Sequence, residues 1–434
     1  MLNQHQQDIA FIEGLSNIPR QNYMLGLKDR SIFVERVRKF LTLLGSPEKK
    51  LKFIHVTGTS GKGTTVKVLQ ALMTDAGYKV GAYVSPFTTT TIEKVSIGDK
   101  LIDPKVLHQI LEKEIKPALD KYTAQCKEDI VSYFEIWLAI ALLYFEKQKC
   151  DWVILEAGMG GTHDATNVIC ETKIAAITNI GLDHTEILGK TKELIAKDKA
   201  GIIKKNSIFI SSEKNQKLLK IFQDKCRQEK AWYMETKNLV QKYKVNSYFD
   251  TKRQKQNLNL ALNILELLNI KPQNTQKIIN NFKLICRQEI IQKNPLIILD
   301  GSHNSDKINN LLDFVKKQKY KKLHLVLGFS HNKKYYPPLK KLLAIADKVY
   351  LTRFLIAERK SAELRKLHQQ SKKIRPNIAI QLYNDPWQAL DLAIKSAKKN
   401  DLILVTGSFF LAGELRKKWI SEEHILETLQ LDKN

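Results

Sequence analysis

Short apolar runs alternate with helix-like segments over the first half of the chain. The clearest helical segment, residues 62–76, places its apolar side chains on one face and is ended by Gly77. Strands that alternate with helices predict a mostly parallel sheet. The runs that read as strands are KFIHVT (52–57), KVGAYVS (79–85), WVILEAG (152–158), KIAAITN (173–179) and SIFISS (207–212).

The same rhythm restarts after about residue 290 and predicts a second, Rossmann-like domain. No GxGxxG pattern is present, so dinucleotide binding is not indicated. The predicted fold class is α/β, with an N-terminal domain at residues 1–287 built on a mostly parallel sheet and a C-terminal Rossmann-like domain at residues 288–434. The strand-like runs of the second domain are LIILD (296–300), LHLVLG (323–328), KVYLTR (348–353), IAIQLY (378–383) and LILVTGS (402–408).

The segment GTSGKGTT, residues 58–65, lies between a strand and a helix. Because the amides at a helix N-terminus favour an anion, this position predicts a phosphate site and an N-terminal domain of the P-loop ATPase type. We expect Lys62 to reach the terminal phosphates of ATP and the hydroxyl of Thr64 to meet Mg²⁺. An ordinary glycine-rich turn is the alternative. The predicted ATP-binding positions of the loop are Gly58, Thr59, Ser60, Gly61, Lys62, Gly63 and Thr64.

A loop that binds ATP needs ligands for Mg²⁺, and the carboxyl ends of parallel strands are where a sheet supplies them. Glu156 ends the run WVIL and precedes a glycine-rich stretch, so it is the first candidate, with a solvated loop acid as the alternative. His184 follows the next strand, although a single histidine is more often structural. Ser85 is a weaker candidate. Lys199 lies among other lysines, where a solvated charge is the default interpretation.

The net charge of +26 suggests nucleic-acid binding, but its distribution favours a simpler explanation. Lysines occur throughout, beside many Asn and Ile residues, as codon bias would produce; steering of a polyanionic substrate is a third interpretation. The longest apolar run, residues 136–145, is about half the roughly 20 residues that a membrane span needs. Five cysteines without a CxxC pattern, and an N-terminus without signal-peptide features, predict a reducing, cytoplasmic location.

Eight motifs together make the chain resemble the folylpolyglutamate synthase and dihydrofolate synthase family of Mur-type, ATP-dependent amide ligases. The resemblance runs from about Gly26 to Arg416, and the short glycine loop is a feature of this family. It implies that a substrate carboxylate attacks the γ-phosphate of ATP, and that the amino group of L-glutamate attacks the resulting acyl phosphate. The motifs are GTSGKGTT, VSP, SYFEIWLA, LEAGMGGTHDATN, TNIGLDHTEILG, KDKAGIIK, LDGSHN and LVTGSFFLAGELR.

The resemblance also gives residues their roles. It implies Mg²⁺ ligands at Ser85, Glu156 and His184, a lysine at Lys199 that is carbamylated by CO₂ and helps to hold a second Mg²⁺, and a bound monovalent cation. Lys62, His184 and Lys199 are thus the expected catalytic residues. The remaining ATP contacts that it implies are Asn257, Arg287, Asp300 and His303. The folate or dihydropteroate substrate is expected near Ser132, Tyr133, Phe134, Glu135, His163, Asp164 and Ala165.

The chain departs from the family pattern at a few positions. Phe87 stands where the family has a histidine, and Thr162 where it has an arginine. These changes leave open a Mur-type ligase that joins a different acid and amino acid. A nucleic-acid-dependent P-loop ATPase is the alternative from another class. The expected protein is a cytoplasmic monomer that uses small-molecule substrates and binds neither nucleic acid nor membrane.

Overall fold

The chain forms two compact units in a computed structural model that describes residues 2–15, 30–126, 129–331, 335–355 and 360–432. Unit 1 contains Met1–Pro86, Ile92–Phe249 and Arg253–Asn281, and unit 2 contains Phe87–Thr91, Asp250–Lys252 and Phe282–Asn434. Gly26, where the family resemblance begins, lies outside the described residues. The finer domain boundary at residue 287 stays a prediction.

Unit 1 is built on an eight-stranded sheet in the order β4-β3-β2-β5-β1-β6-β7-β8. The pairs β2/β3 and β3/β4 are antiparallel and the other pairs are parallel. The strands are β1 (Phe53–Thr57), β2 (Val80–Tyr83), β3 (Val95–Ile97), β4 (Lys100–Leu101), β5 (Trp152–Glu156), β6 (Ile174–Ile177), β7 (Ile208–Ser211) and β8 (Trp232–Met234).

Helices follow most of the parallel strands of unit 1. All five residues of β1 are buried, as expected for the centre of a sheet with both faces covered. The helices are α1 (Leu2–Gly14), α2 (Ile32–Leu43), α3 (Lys62–Asp75), α4 (Pro104–Ile110), α5 (Lys116–Gln125), α6 (Tyr133–Lys147), α7 (Thr185–Leu188), α8 (Lys192–Lys199), α9 (Gln216–Glu229), α10 (Lys252–Leu267) and α11 (Thr275–Asn281).

Helix α6 contains the apolar run at residues 136–145, and all but Tyr144 of those residues are buried. A helix that packs against other parts of the protein on every side has no face in contact with water. The sequence of α6 therefore shows no polar face. A capping box formed by Ser132 and Glu135 fixes where it begins. In the parts of the chain that the structure describes, no helix has the length and apolar character needed to cross a membrane.

Unit 2 has a six-stranded sheet in the order β13-β12-β11-β14-β10-β9, parallel except for β9/β10. Together the two sheets confirm the predicted α/β fold class. The elements are β9 (Glu289–Lys293), β10 (Leu296–Leu299), α12 (Ser305–Val315), β11 (Leu323–Leu327), α13 (Tyr336–Ile345), β12 (Lys348–Leu351), α14 (Leu364–Ile374), β13 (Ala379–Leu382), α15 (Pro386–Ser396), β14 (Leu402–Thr406), α16 (Phe409–Arg416) and α17 (Glu422–Thr428).

All ten strands expected from the sequence are present, and within the described ranges the structure has four further strands that were missed. Strands β3 and β4 have three and two residues, which is too short for a pattern of alternation to be visible. Strand β8 lies at a sheet edge and none of its residues is fully buried. Strand β9 is an antiparallel edge with polar residues at both ends. Such strands form because a neighbour is available for pairing, which a local pattern does not contain.

Candidate active site

The glycine loop joins the carboxyl end of β1 to the start of α3. Gly61 caps α3 with φ of +87°, a left-handed conformation in which glycine is favoured. A Cβ at Gly61 would lie 2.2 Å from Oδ1 of Asn257, and one at Gly58 would lie 1.9 Å from Oγ1 of Thr178. The loop therefore takes its path only because these two positions lack side chains. Its amides face the start of a helix, where an anion is stabilised.

The segment after β6 holds this loop in place. Backbone N–H groups of Thr59 and Ser60 donate to the backbone and side-chain oxygens of Asn179, at 3.0 and 2.9 Å. The hydroxyl of Thr178 donates to the carbonyl of Ser60 at 2.6 Å, and the amide of Gly181 donates to the Thr59 hydroxyl at 2.9 Å. Sequence reasoning missed this bracing role, although TNIG follows a predicted strand.

Lys62 and Glu156 lie together at the carboxyl end of the sheet. The ammonium of Lys62 is 4.0 Å from Oε1 of Glu156 and donates to the carbonyl of Gly58 at 3.1 Å. Glu156 is only 3% exposed, so the alternative of a solvated loop acid is wrong. The amide of Ser85 donates to its Oε2 at 3.2 Å, which places a second predicted metal ligand beside it. The hydroxyl of Thr64 lies 3.1 Å from that of Tyr248.

His184 lies at the start of α7, where it adopts a left-handed backbone conformation with φ of 51°. Carboxylates flank its ring: Oδ1 of Asp183 is 3.9 Å from Nε2, and Oε1 of Glu186 is 3.9 Å from Nδ1. The imidazole is neither a core residue nor fully solvated, since its side chain is 29% exposed. A partly open ring beside acids is compatible with the predicted role as a metal ligand.

Lys199 is buried, contrary to the default interpretation of a solvated charge. Its exposure is 3%, and it ends α8. Burial, followed by repulsion from Lys62, lowers the pKa of its ammonium to about 7, against the opposing attraction of Asp198, Asp183 and Asp164. Near neutral pH a large part of this lysine is therefore an uncharged amine. Helical spacing did not single it out, because its burial depends on the loop that packs against α8.

Asp198 connects α8 to the glycine-rich chain that follows Glu156. Its Oδ1 accepts from the amide of Gly161 at 2.8 Å, and its carbonyl accepts from the amide and hydroxyl of Thr162 at 2.9 and 2.8 Å. Thr162, where the family has arginine, therefore serves as a brace for the turn that carries Lys199. Sequence reasoning missed Asp198, and nothing local to KDKAG distinguishes it.

Two predicted ATP contacts of unit 2, Arg287 and His303, lie around the ring of Phe409 together with Lys307. The guanidinium carbon of Arg287 lies 4.5 Å from the ring centroid, the ammonium of Lys307 lies 5.4 Å from it, and His303 packs edge-on at 5.8 Å. Asp300 is 4% exposed and accepts backbone N–H bonds from Gln288 and Ser302 at 2.9 and 2.8 Å. Arg287 and Lys307 thus lie against the same Phe409 ring. The hydrogen bonds of Asp300 fix the backbone next to Arg287 and His303.

A pocket in unit 1 contains all seven predicted substrate-binding positions. Asp164 helps to build its wall, since it accepts hydrogen bonds from the amide of Met159 at 2.8 Å and from the amide of Thr166 at 3.0 Å. Much of the lining is apolar, as is usual for a site that takes a planar organic ring. The lining residues are Arg30, Phe33, Arg36, Ile130, Ser132, Tyr133, Phe134, Glu135, Gly158, Met159, His163, Asp164, Ala165, Ile187, Leu188 and Asp198.

Phe87, where the family has histidine, packs in unit 2 rather than in this pocket. Its ring contacts that of Phe410 edge-on, with centroids 5.9 Å apart, and Phe410 in turn packs against Phe354 at 5.4 Å. An apolar side chain at this position therefore extends an aromatic cluster.

Comparison with known proteins identifies the family and supports the fold. Two domain models match, the Mur ligase middle domain over residues 56–271 and the Mur ligase glutamate ligase domain over residues 286–409. The dihydrofolate synthase/folylpolyglutamate synthase of Escherichia coli is 30% identical over 419 residues, which is 92% of this chain and 92% of that protein. The folylpolyglutamate synthase of Thermotoga maritima, 26% identical, superposes with a TM-score of 0.75 over 92% of this chain and 94% of that one.

A third similarity bears on the fold alone. The folylpolyglutamate synthase of Mycobacterium tuberculosis complexed with ADP superposes with a TM-score of 0.85 over 96% of this chain and 99% of that one, at 21% identity. Given its 30% identity to the Escherichia coli enzyme over nearly the full length of each, the chain belongs to the dihydrofolate synthase/folylpolyglutamate synthase family of Mur ligases.

Proposed function

We propose that the protein is an ATP-dependent ligase that adds L-glutamate to a folate, to dihydropteroate, or to both, through an acyl phosphate. The observation that carries this proposal is the arrangement of Lys62, Glu156 and buried Lys199 around a short glycine loop. It occurs in a chain that resembles dihydrofolate synthase/folylpolyglutamate synthase along nearly its whole length.

The first step is phosphoryl transfer. In this step the protein mainly positions the reactants and stabilises the negative charge on the phosphates. The loop amides and Lys62 hold the phosphates of ATP, so that a substrate carboxylate oxygen attacks the γ-phosphorus and the bond to ADP breaks. The amine of glutamate then attacks the acyl carbon. A C–N bond forms, inorganic phosphate leaves, and the amine loses a proton to solvent. From the family resemblance, Arg287 is proposed as a further phosphate contact, and Asp300 with His303 as a further ATP contact.

The donor set at the end of the sheet fits Mg²⁺. Glu156 supplies a buried carboxylate, the amide of Ser85 already fixes the position of that carboxylate, and His184 lies among acids. The glycine loop adds the hydroxyl of Thr64 as a further proposed ligand for Mg²⁺. When bound, the ion neutralises charge on the phosphates. A monovalent cation is proposed from the family resemblance alone.

Lys199 is proposed to act as a carbamate. Its neutral amine would attack CO₂, forming an N–C bond and releasing one proton, which would turn an uncharged amine into an anionic oxygen ligand for a second Mg²⁺. The low pKa supports this step, because only the uncharged amine is a nucleophile. The surrounding acids, Asp198, Asp183 and Asp164, oppose an anion at this point, so the metal is needed to hold it.

A direct assay tests the function. The purified protein is supplied with ATP, Mg²⁺ and labelled L-glutamate, and in separate reactions with dihydropteroate or tetrahydrofolate, and the products are resolved by mass. We expect one or both acceptors to gain a glutamyl unit with ADP released in equal amount. Failure of both acceptors would overturn the substrate assignment, and a different acid and amino acid would then be sought.

We further propose that the protein is a monomer located in the cytoplasm.

A further inference from the structure

We propose that Arg36 is a positioning residue that sets the acceptor wall of the pocket, defined here as residues 130–135, and so determines the affinity for the folate or dihydropteroate acceptor. The inference rests on the proposed function, because it needs the pocket to be the acceptor site. Arg36 lies on α2, far in the sequence from the wall, and no motif marks it.

The guanidinium of Arg36 is almost completely enclosed and forms an extended set of charged hydrogen bonds. Nε donates to Oε1 and Oε2 of Glu135 at 3.0 and 2.9 Å, and Nη2 donates to Oε1 at 2.8 Å. Nη1 donates to Oδ1 of Asp129 at 2.7 Å. The side chain of Arg36 is 1% exposed and that of Glu135 is 3% exposed. Forked contacts of this kind fix direction as well as distance.

Both carboxylates pass this constraint to the wall. Oε2 of Glu135 accepts the amide of Ser132 at 2.6 Å, which closes the capping box at the start of α6. Oδ2 of Asp129 accepts the hydroxyl of Tyr122 at 2.7 Å. One guanidinium therefore joins α2, α5, the chain before α6 and the first turn of α6. Five residues of this stretch are among those that line the pocket: Ile130, Ser132, Tyr133, Phe134 and Glu135.

The same contacts assign Glu135 a different role from the one expected from the family motif. Its two oxygens receive four hydrogen bonds from Arg36 and Ser132. The Glu135 carboxylate therefore fixes the position of the acceptor wall. Contacts with the acceptor are expected from the residues beside it. Stability is a weak reason to retain such a group, because a buried ion pair often contributes no more than an apolar pair of similar volume. The ion pair between Arg36 and Glu135 differs from an apolar pair in that its directional hydrogen bonds fix the geometry of the wall.

The test compares R36M, R36K and the double variant R36M/E135L in the full-length protein. For each, the KM for tetrahydrofolate, the KM for ATP, kcat and Tm are measured. We expect R36M and R36K to raise the KM for tetrahydrofolate about tenfold or more, because a shift of about 1 Å in a positioned group is enough to cost about 100-fold. The KM for ATP should stay within about twofold, since the loop is braced by other residues. R36K matters because lysine keeps the charge but lacks the planar fork.

The double variant separates positioning from folding. Removing Arg36 and Glu135 together leaves only Asp129 without its cation, and Asp129 is 26% exposed and still accepts from the Tyr122 hydroxyl. The Tm should therefore recover relative to R36M while the KM for tetrahydrofolate stays raised. R38M, on the exposed face of the same helix, is the matched control and should leave all four quantities unchanged.

Two results would overturn the inference: an R36M/E135L protein with the wild-type KM for tetrahydrofolate, or R36K raising the KM for ATP as much as that for tetrahydrofolate. R36K and the double variant keep the inference testable if R36M does not fold. A wild-type protein that glutamylates neither acceptor would instead remove the proposed function.

Discussion

Individual side chains in this protein acquire their chemistry from burial. Lys199 and Lys197 lie two positions apart on α8, yet Lys197 is exposed and Lys199 is enclosed. His55 is a second example: it lies inside β1, its ring contacts the hydroxyl of Thr166 at 2.8 Å, and burial lowers its pKa to about 3. It therefore stays neutral under ordinary conditions and serves as a structural residue. The contrast shows that residue type alone does not define a functional group.

Carbamylation of Lys199 predicts a dependence on both CO₂ and pH. The pKa of about 7 means that the reactive amine is protonated, and therefore lost, as the pH falls below 7. We expect CO₂-depleted buffer to lower the ligase rate and bicarbonate to restore it, more completely at pH 8 than at pH 6. K199A should lower kcat by about 100-fold or more, as removal of a major electrostatic contact does. Rate assays with added bicarbonate measure both effects.

K197A serves as the control for this prediction, because it removes a lysine from the exposed side of the same helix. It should retain the wild-type response to bicarbonate. A K199A protein with full activity would remove the role of this lysine.

Single elements in this chain bring the groups of the site together. Helix α3 presents the glycine loop, the segment after β6 braces it, and α10 places Asn257 against Gly61. Helix α3 is recognisable from its apolar pattern in the sequence. The contacts among the three segments are not, since Asn257 lies almost 200 positions after Gly61.

The fit of α10 against the loop predicts the effect of G61A. The added Cβ would have to displace Oδ1 of Asn257, 2.2 Å away, in addition to occupying a left-handed conformation. We expect G61A to abolish measurable ATP binding by calorimetry. The matched control is G77A, which has a similar φ of +91° but no atom within 4 Å of the new Cβ. G77A should lower stability by about 1 kcal/mol through strain and leave ATP binding unchanged. Equal loss of binding in both variants would contradict this account.

The whole molecule combines two α/β units with a net charge of +26. Lysine is distributed over both units, and only a few of the cations, such as Lys62 and Arg287, have a proposed role in the site. Most of the charge is therefore expected to be solvated and to act only over long range.

The charge and the family assignment make opposite predictions for ATP turnover. Turnover should rise when tetrahydrofolate and L-glutamate are added together and should not respond to DNA or RNA at 150 mM salt, about physiological ionic strength. A coupled assay of ADP release measures this turnover. Stimulation by nucleic acid alone would favour the alternative class of ATPase.

ADP with Mg²⁺ should also stabilise the protein by about 2.7 kcal/mol at 100 times its dissociation constant.

The sequence by itself determined the ten main strands, the α/β class, the glycine loop and the candidate acid Glu156, because these depend on local apolar runs and on residue types at fixed spacing. Short edge strands such as β8 and β9 depended on available neighbours. The enclosure of Lys199, the bracing by Asp198 and the fork from Arg36 to Glu135 were decided only by the tertiary structure. Burial and hydrogen bonding between residues distant in the chain arise from packing, and packing brings together side chains that no local pattern relates.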